Sequence, residues 1–330
     1  MRKLFFLLLL VCVMVAVFPS CSLNKMITRA VVSSLGTGGA DPFSTEEDPQ
    51  LVAEALPFAL KLYETLLQSD PDNRELLLTL AQGYVSYAKA FVEEPARRLP
   101  LSSYAAQKKA YRRARLLYLR GARYALHALE EAHPRAFAEW EGGDLSTFLG
   151  TVREEDVAAL YWGAAGLLSA ISLDPSDPEL SLSIPKAVSL AATILLSFPD
   201  SQEGAVHEMF ISLYGGLPEA LWWGPNPPEL LVEGLRRYYE SEGLADATPE
   251  GKARHHFERA VALSGGKKLS PYITYAESIV YPRQDKDTYR NLLERALSIP
   301  PGDTPEHALE NAVAREKAEW LLETLDDRFF

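Results

Sequence analysis

Cysteine is almost absent: among 330 residues only Cys12 and Cys21 carry a thiol. Cys12 lies inside the N-terminal apolar run Leu4 to Val17 and would leave with a cleaved leader. That excludes an intramolecular disulfide framework and a cysteine-ligated metal site in one mature chain. Cations are in deficit, with 33 Lys and Arg against 45 Asp and Glu, a formal charge of −12. Such a chain is a poor partner for nucleic acid, whose phosphates need clustered cations. Alternating β-branched runs, the signature of strands, are missing. So are a nucleophile elbow, a phosphate loop and a Gly-x-Gly-x-x-Gly turn. His207-Glu208 begins like a zinc-protease motif, but Ile211 stands where its second histidine belongs. His255 and His256 are adjacent, so they point to different helix faces. No pair among the 45 acids is singled out for glycoside hydrolysis. The expectation is a protein that is not an enzyme and carries no cofactor or metal.

What is present begins at the N-terminus. Arg2 and Lys3 precede the apolar run, which at about 14 residues is too short to cross a bilayer core of roughly 30 Å but suits a signal peptide. Phe18-Pro19-Ser20-Cys21 closes it, and the small Ser20 before Cys21 fits a lipoprotein signal peptidase. Residues 1–20 are therefore read as a signal peptide, Cys21 as the lipidated N-terminus, and 21–48 as tether and spacer. Simple secretion and an uncleaved anchor are the alternatives. Losing Arg2 and Lys3 moves the formal charge from −12 to −14.

From Pro49 to the C-terminus, Ala-, Leu- and Tyr-rich segments with 3.6-residue spacing alternate with Pro- and Gly-containing turns. One pattern recurs: a small residue, a large apolar residue four later, another apolar or small residue three later, then a helix stop. Ala59, Tyr63, Leu66 and Pro71 fit it. So do Ala122, Leu126, Leu129 and Pro134, and Ala187, Ala191, Ile194 and Pro199. Ala253, Phe257 and Ala260 end at Gly265; Tyr289, Leu293 and Ala296 end at Pro301. The small residue admits the paired helix, the large one fills its groove, and Pro or Gly ends the helix. Leu77, Leu80, Ala81 and Tyr84 suit a first helix, which Tyr272, Tyr275, Ala276 and Ile279 nearly repeat. Gln202 to Leu213 fits poorly. Stops recur at intervals of 63, 65, 66 and 36 residues, so extra helices or insertions are expected at Tyr104 to Glu131 and Leu217 to Thr248. The fold class is all-α: degenerate tetratricopeptide (helix-turn-helix) repeats forming an α-α superhelix over 49–330.

In order along the chain, the residues resemble a known family, the tetratricopeptide T component associated with TRAP-type solute transporters. The blocks are Asp48-Pro49, Ala55-Leu56-Pro57, Tyr87-Ala88, Phe91, Ala114 to Arg120 and Leu160-Tyr161-Trp162. They continue through His256 to Ala260, Gln284-Asp285, Asn311-Ala312 and a tail with Ala318, Trp320-Leu321-Leu322, Asp326-Asp327 and Phe329-Phe330. The resemblance implies a periplasmic, membrane-anchored lipoprotein that partners the extracytoplasmic solute-binding protein (P component) of a TRAP transporter. It also implies a hole for a small hydrophobic or carboxylate ligand and a homo-oligomer, a trimer being one form. The weakly matched leader and the Leu217 to Thr248 insertion depart from the pattern.

Candidate sites follow, each against a structural alternative. Tyr161, Trp162, Tyr275, Asn311, Arg315 and Trp320 are the expected ligand-lining residues. An inward Arg315 could hold a carboxylate bidentately, whereas Asn311, Arg315 and Glu319, on one helix face, could equally tie the last helix to the array. Trp222 and Trp223, followed by Gly224-Pro225-Asn226-Pro227-Pro228, cannot both face one core. They mark a protomer interface or pore lip, or else a capping loop. Lys267-Lys268 offers an anion contact or an exposed turn. Lys108, Lys109, Arg112, Arg113, Arg115, Arg120 and Arg123 spread around one helix as a solvated surface or a docking face. A ligand-free scaffold for envelope assembly is the rival function, and a degenerate hydrolase a third.

Overall fold

The computed structural model describes residues 43–141, 146–301 and 305–330, so the leader, Cys21 and the tether up to residue 42 lie outside the described residues. Among the described residues there is no strand, and the chain is helical from Pro49 onward, as the all-α reading expects. Helix α1 spans Pro49–Leu67. Asp48 starts it, its carboxylate accepting from the Gln50 and Leu51 amides at 2.9 and 3.2 Å, while Pro49 fills a position whose amide needs no partner. Asn73 caps α2, Arg74–Tyr87. A π-helical turn, Ala88–Glu93, continues α2 into α3, Glu94–Arg97.

Thirteen further α-helices, α4 to α16, follow among the described residues. The 29-residue α4 spans Tyr104–Ala132, α5 Pro134–Glu141, α6 Ser146–Thr151 and α7 Val157–Leu173. Next come α8, Pro178–Ser181, α9, Ile184–Ser197, α10, Ser201–Gly216, and α11, Glu229–Ser241. Helix α12 is Pro249–Leu263, and α13 is Ser270–Tyr275, which runs through a second π turn, Ala276–Val280. Then α14, Lys286–Leu297, and α15, Ala308–Glu323, lead into the short α16, Leu325–Arg328. Every stop residue picked from the sequence falls just past a helix end: Pro71 after α1, Pro134 after α4, Pro199 after α9, Gly265 after α12 and Pro301 after α14.

The main helices pack mostly on their neighbours in chain order, α2 on α4, α4 on α7, α7 on α9, α10 on α12, and α13 on α14. Small residues set the closest approaches. A Cβ on Gly166 of α7 would stand 2.8 Å from the Tyr118 carbonyl of α4, so only glycine lets these two helices touch. Of the small positions of the repeat pattern, Ala122, Ala187 and Ala253 are buried, and Ala59 is half-buried. Helices α7 and α9 are apolar and, with their leading turns, long enough to cross a membrane. More than half of each apolar window is buried against the rest of the protein, the setting of a core helix.

The array closes. The α15 amide of Leu309 donates to the Ser44 carbonyl at 3.1 Å, and α15 packs against α1. Arg98, just after α3, pairs with Glu316 of α15 at 3.7 Å and lies over the Trp320 ring. The N-terminal helices α1 and α3 therefore meet α15 near the C-terminus.

Candidate functional site

Two π turns supply the centre. In each, the residue before a proline donates its amide five residues back: Glu94 to the Lys89 carbonyl ahead of Pro95, and Tyr281 to the Ala276 carbonyl ahead of Pro282. A proline ring clashes with the carbonyl four residues earlier, and widening the helix by one residue relieves that clash. The sequences around the two turns match. Tyr84-Val85-Ser86-Tyr87-Ala88 corresponds to Tyr272-Ile273-Thr274-Tyr275-Ala276, and Val92 to Val280. At the equivalent inner position one turn carries Lys89 and the other Glu277. Gly215 of α10 is required beside the second turn, because a Cβ there would strike the Ser278 backbone.

Salt bridges join the turns. Lys89 lies 3.1 Å from Glu93 and 3.2 Å from Glu94; Arg97 also holds Glu93, at 2.6 Å, and the Tyr118 hydroxyl donates to the same carboxylate. Lys317, from the middle of α15, bridges Glu94 at 3.0 Å and Glu277 at 3.1 Å. Arg328 and the Tyr289 hydroxyl complete the Glu277 shell at 3.3 and 3.2 Å. Burial alone would raise these carboxyls. Lys89, Lys317 and Arg97 instead hold Glu94 at about 2. Lys89 and Arg97 keep Glu93 low, and Lys317 and Arg328 keep Glu277 low. Lys89 is the informative member. Its side chain is 48 % accessible, yet its ammonium is deeply surrounded by protein and is kept charged by Glu93 and Glu94.

A second cluster lies seven residues back along both α13 and α15. Ser270 Oγ stands 2.8 Å from Glu208 of α10 and 2.7 Å from Glu310 of α15; Thr274 reaches Glu208 at 3.3 Å. Lys268 faces Glu203 at 3.3 Å and Glu310 at 3.5 Å, and His307 faces Glu203 at 3.0 Å. Glu203 comes into reach because α10 starts left-handed at Gln202, Glu203 and Gly204, with φ of 51, 55 and 73°. Burial and then the Glu310 charge push the Glu208 carboxyl up to about 7. Tyr161 of α7 is half-buried, and burial followed by Glu208 and Glu310 drives its hydroxyl pKa up.

The sequence-marked residues divide. Tyr161 faces the acidic cluster, and Trp162 packs edge-on against it, ring centres 5.0 Å apart. Tyr275 is buried and stacks on Phe257 at 4.8 Å, on the α12 side of its helix. Asn311 accepts from the Leu269 amide at 3.1 Å and donates to the Lys267 carbonyl at 2.9 Å. Arg315 donates to the carbonyls of Leu297, at 3.1 Å, and Ile299. Both therefore tie loops to α15. Trp320 sits between the guanidinium groups of Arg98 and Arg328, 5.9 and 4.6 Å from its ring centre. Trp222 is 1 % exposed, packed on Phe210 and Tyr214, with its indole N–H on the Leu217 carbonyl; Trp223 is half-buried. Of the α4 cations, Arg115 pairs with Asp174 and Asp177 at 2.6 and 2.9 Å and Arg120 with Glu64 at 3.6 Å, while Lys108, Lys109, Arg112 and Arg123 are exposed.

Lys89, Glu94, Glu277 and Lys317 did not stand out in the sequence, and Glu208 did so only in the broken His207-Glu208 motif. The matched Tyr84 and Tyr272 segments were the available signal, since they carry opposite charges one residue after the same Tyr-Ala step. Also unforeseen is a buried chain behind α10: His207 Nδ1 lies 2.7 Å from His256 Nδ1, and His256 Nε2 lies 2.7 Å from the Tyr239 hydroxyl. Burial, reinforced by Arg259 and His255, takes His207 down to about 4, and burial with His207 takes His256 well below its usual value. The pair is therefore neutral. Elsewhere, Asp72, His127 and Glu131 bring three ligand atoms within 4.8 Å on the outer surface, an arrangement common among exposed acids without an ion. A depression of about 550 Å³ between α11 and α12, lined by Glu242, Glu250, Arg254, His255 and Glu258 among others, opens on the outside, with Arg254 paired to Glu250 and His255 to Glu242.

The family model of the TRAP transporter T-component matches residues 45–229 and 248–330. The unmatched stretch falls within Leu217 to Thr248, marked in the sequence as an insertion, and it supplies most of α11 with Tyr239. A protein of Treponema pallidum (strain Nichols), described as uncharacterized, is 34 % identical over 290 residues, covering 87 % of this chain and 82 % of that one. A family match over most of the chain suggests an accessory role in a TRAP system of the cell envelope. The chain belongs to the TRAP transporter T-component family.

Proposed function

We propose that this chain is a lipid-anchored periplasmic accessory that docks the solute-binding protein of a TRAP transporter and holds a small organic acid in its closed helical interior. Lipidation at Cys21 anchors it, and a tetratricopeptide-like superhelix supplies the docking face, since side chains from several helix pairs converge on one surface. The observation that supports the solute reading is Lys89, a half-accessible cation kept charged by Glu93 and Glu94. Around it, four cations (Lys89, Arg97, Lys317 and Arg328) meet three ionised carboxylates, leaving one positive charge for a solute to answer. Tyr161 contributes lining, and Trp222 and Trp223 belong to the support of a protomer contact. The assembly is a homo-oligomer.

Native mass spectrometry of the full chain with its cognate binding protein, with and without solute, tests this. A complex of defined stoichiometry is expected, and its mass gives the oligomeric state. No association at micromolar concentration in either condition would sink the docking reading. A ligand-free scaffold is the second reading, favoured by the engagement of Asn311 and Arg315 with backbone carbonyls.

A further inference from the structure

Residues 95–129 hold nine Lys and Arg and no Asp or Glu, in a chain whose formal charge is −12. The stretch covers the end of α3, the turn after it and nearly all of α4, whose first turn carries no acid. Carboxylates outside the stretch draw off some of these cations. Arg97 meets Glu93, Arg98 meets Glu316, Arg115 meets Asp174 and Asp177, and Arg120 meets Glu64. Arg113 lies over the Tyr87 ring, 5.8 Å from its centre. Lys108, Lys109, Arg112 and Arg123 form no ion pair among the described residues, and all four are exposed. At roughly 100° per residue they share an arc of about 100° on one side of α4. Cations that the sequence spreads around the helix are thus sorted onto one outward face. Apolar groups stand with them. Leu116 lies inside the same arc and is 56 % exposed. Ala105, one turn before Lys109, is exposed as well. At the N-terminal tip, Leu101 is 97 % and Tyr104 65 % exposed, on the turn that leads into α4. From Ala105 to Arg123 the face runs roughly 27 Å at about 1.5 Å per residue.

We propose that this face of α4, with Leu101 and Tyr104 at its tip, rests on an anionic phospholipid surface. Lipid phosphates answer the four free cations, whose aliphatic stems lie along the interface, while Leu101, Tyr104 and Leu116 enter the boundary between headgroups and acyl chains. An acidic protein surface would answer the cations but has no reason to meet three apolar groups set singly among them. The bilayer interface answers both. The rest of the chain is strongly acidic, so an anionic surface repels it and the contact is confined to this side. Anchoring at Cys21 would bring the body to a membrane without choosing which side faces it; the α4 face makes that choice. The contact depends neither on the lipid at Cys21 nor on a solute.

Vesicle flotation tests this, using the chain from residue 21 with Cys21→Ser, which carries no lipid and keeps every described residue. Binding is expected to phosphatidylcholine vesicles containing about 30 % phosphatidylglycerol, not to phosphatidylcholine alone, and is lost near about 1 M salt. Lys109→Gln with Arg112→Gln should lower the partition coefficient about twentyfold, roughly fivefold for each cation lost. Leu101→Ser should lower it about threefold or more. Lys267→Gln, at an exposed turn away from α4, should change it by less than about twofold. The substituted side chains are exposed, and an unchanged thermal midpoint shows that each variant is folded. Equal binding by the wild type and the double variant assigns any contact to another surface, residues 22–42 included, and overturns the proposal. So does equal binding to neutral vesicles, or none to either kind. If the double variant keeps its vesicle binding but loses the cognate solute-binding protein in native mass spectrometry, the α4 face docks protein and the membrane assignment falls.

Discussion

The Tyr84 and Tyr272 segments share one backbone device and differ in charge. Both place a tyrosine before a π turn that opens on alanine, and a proline after it, and both follow that alanine with a charged residue. The first projects Lys89 beside Glu93 and Glu94. The second projects Glu277, which needs Lys317 and Arg328 from the last two helices. The N-terminal turn thus carries cations of its own, whereas the C-terminal turn draws its cations from the last two helices, and Lys317 joins the two turns only when the array closes. Closure and interior charge are therefore one property, with Lys317 as the shared element.

Removing that element is the sharpest way to break the comparison. Lys317→Met leaves Glu94 buried and Glu277 short of a partner, so a loss of about 3–5 kcal/mol in urea unfolding is expected. A loss under 1 kcal/mol would mean the bridge does not hold the ends together.

Acid should separate the two halves next. His207 falls from 6.5 to about 4 on folding, so between those values the unfolded chain binds more protons and stability declines as pH falls. The cost is roughly 3 kcal/mol for His207, and His256 adds in the same direction. Glu94, held at about 2, contributes stability that persists until pH falls below about 4.5. Hydrogen exchange at pH 5 should therefore show α10 and α12 opening before α2 and α4. The reverse order would remove the histidine pair as the weak point.

The turns themselves make a smaller contrast. Glu277→Gln should cost about 2 kcal/mol, because it strips Lys317 and Arg328 of a buried partner. Lys89→Met should cost about 1 kcal/mol or less, since Arg97 and Lys317 remain and the lysine is half-accessible. Equal losses in thermal unfolding would erase the distinction between local and long-range balance.

The smallest effect has the opposite sign. Burial and Glu310 raise the Glu208 carboxyl to about 7, so the folded chain binds more protons than the unfolded one between about 4.5 and 7, and stability falls as pH rises through that range. Glu208→Gln should add about 1 kcal/mol at pH 8 and nothing at pH 4. Destabilisation at pH 8 would show that the carboxylate is a needed acceptor for Ser270 and Thr274.

Much of the frame was legible before the fold. Helical period and the Pro and Gly stops located α1, α4, α9, α12 and α14, because apolar spacing and the missing proline amide act within a few residues. The poor fit of Gln202 to Leu213 also had meaning: a left-handed start and the buried His207 occupy that stretch. Asn311 and Arg315 show the limit. Their shared helix face was readable, but whether Arg315 meets a solute or the Leu297 carbonyl depends on where α14 ends in space.

Local chemistry alone, then, determined the all-α class, the helix boundaries and the small residues at helix contacts, since each arises from neighbours within a turn or two. Tertiary structure decided that Lys317 reaches both Glu94 and Glu277 and that two histidines lie nitrogen to nitrogen. These pairings join residues 40 to more than 200 positions apart. A charge carries no mark of its partner until the chain closes and the medium between them is no longer water.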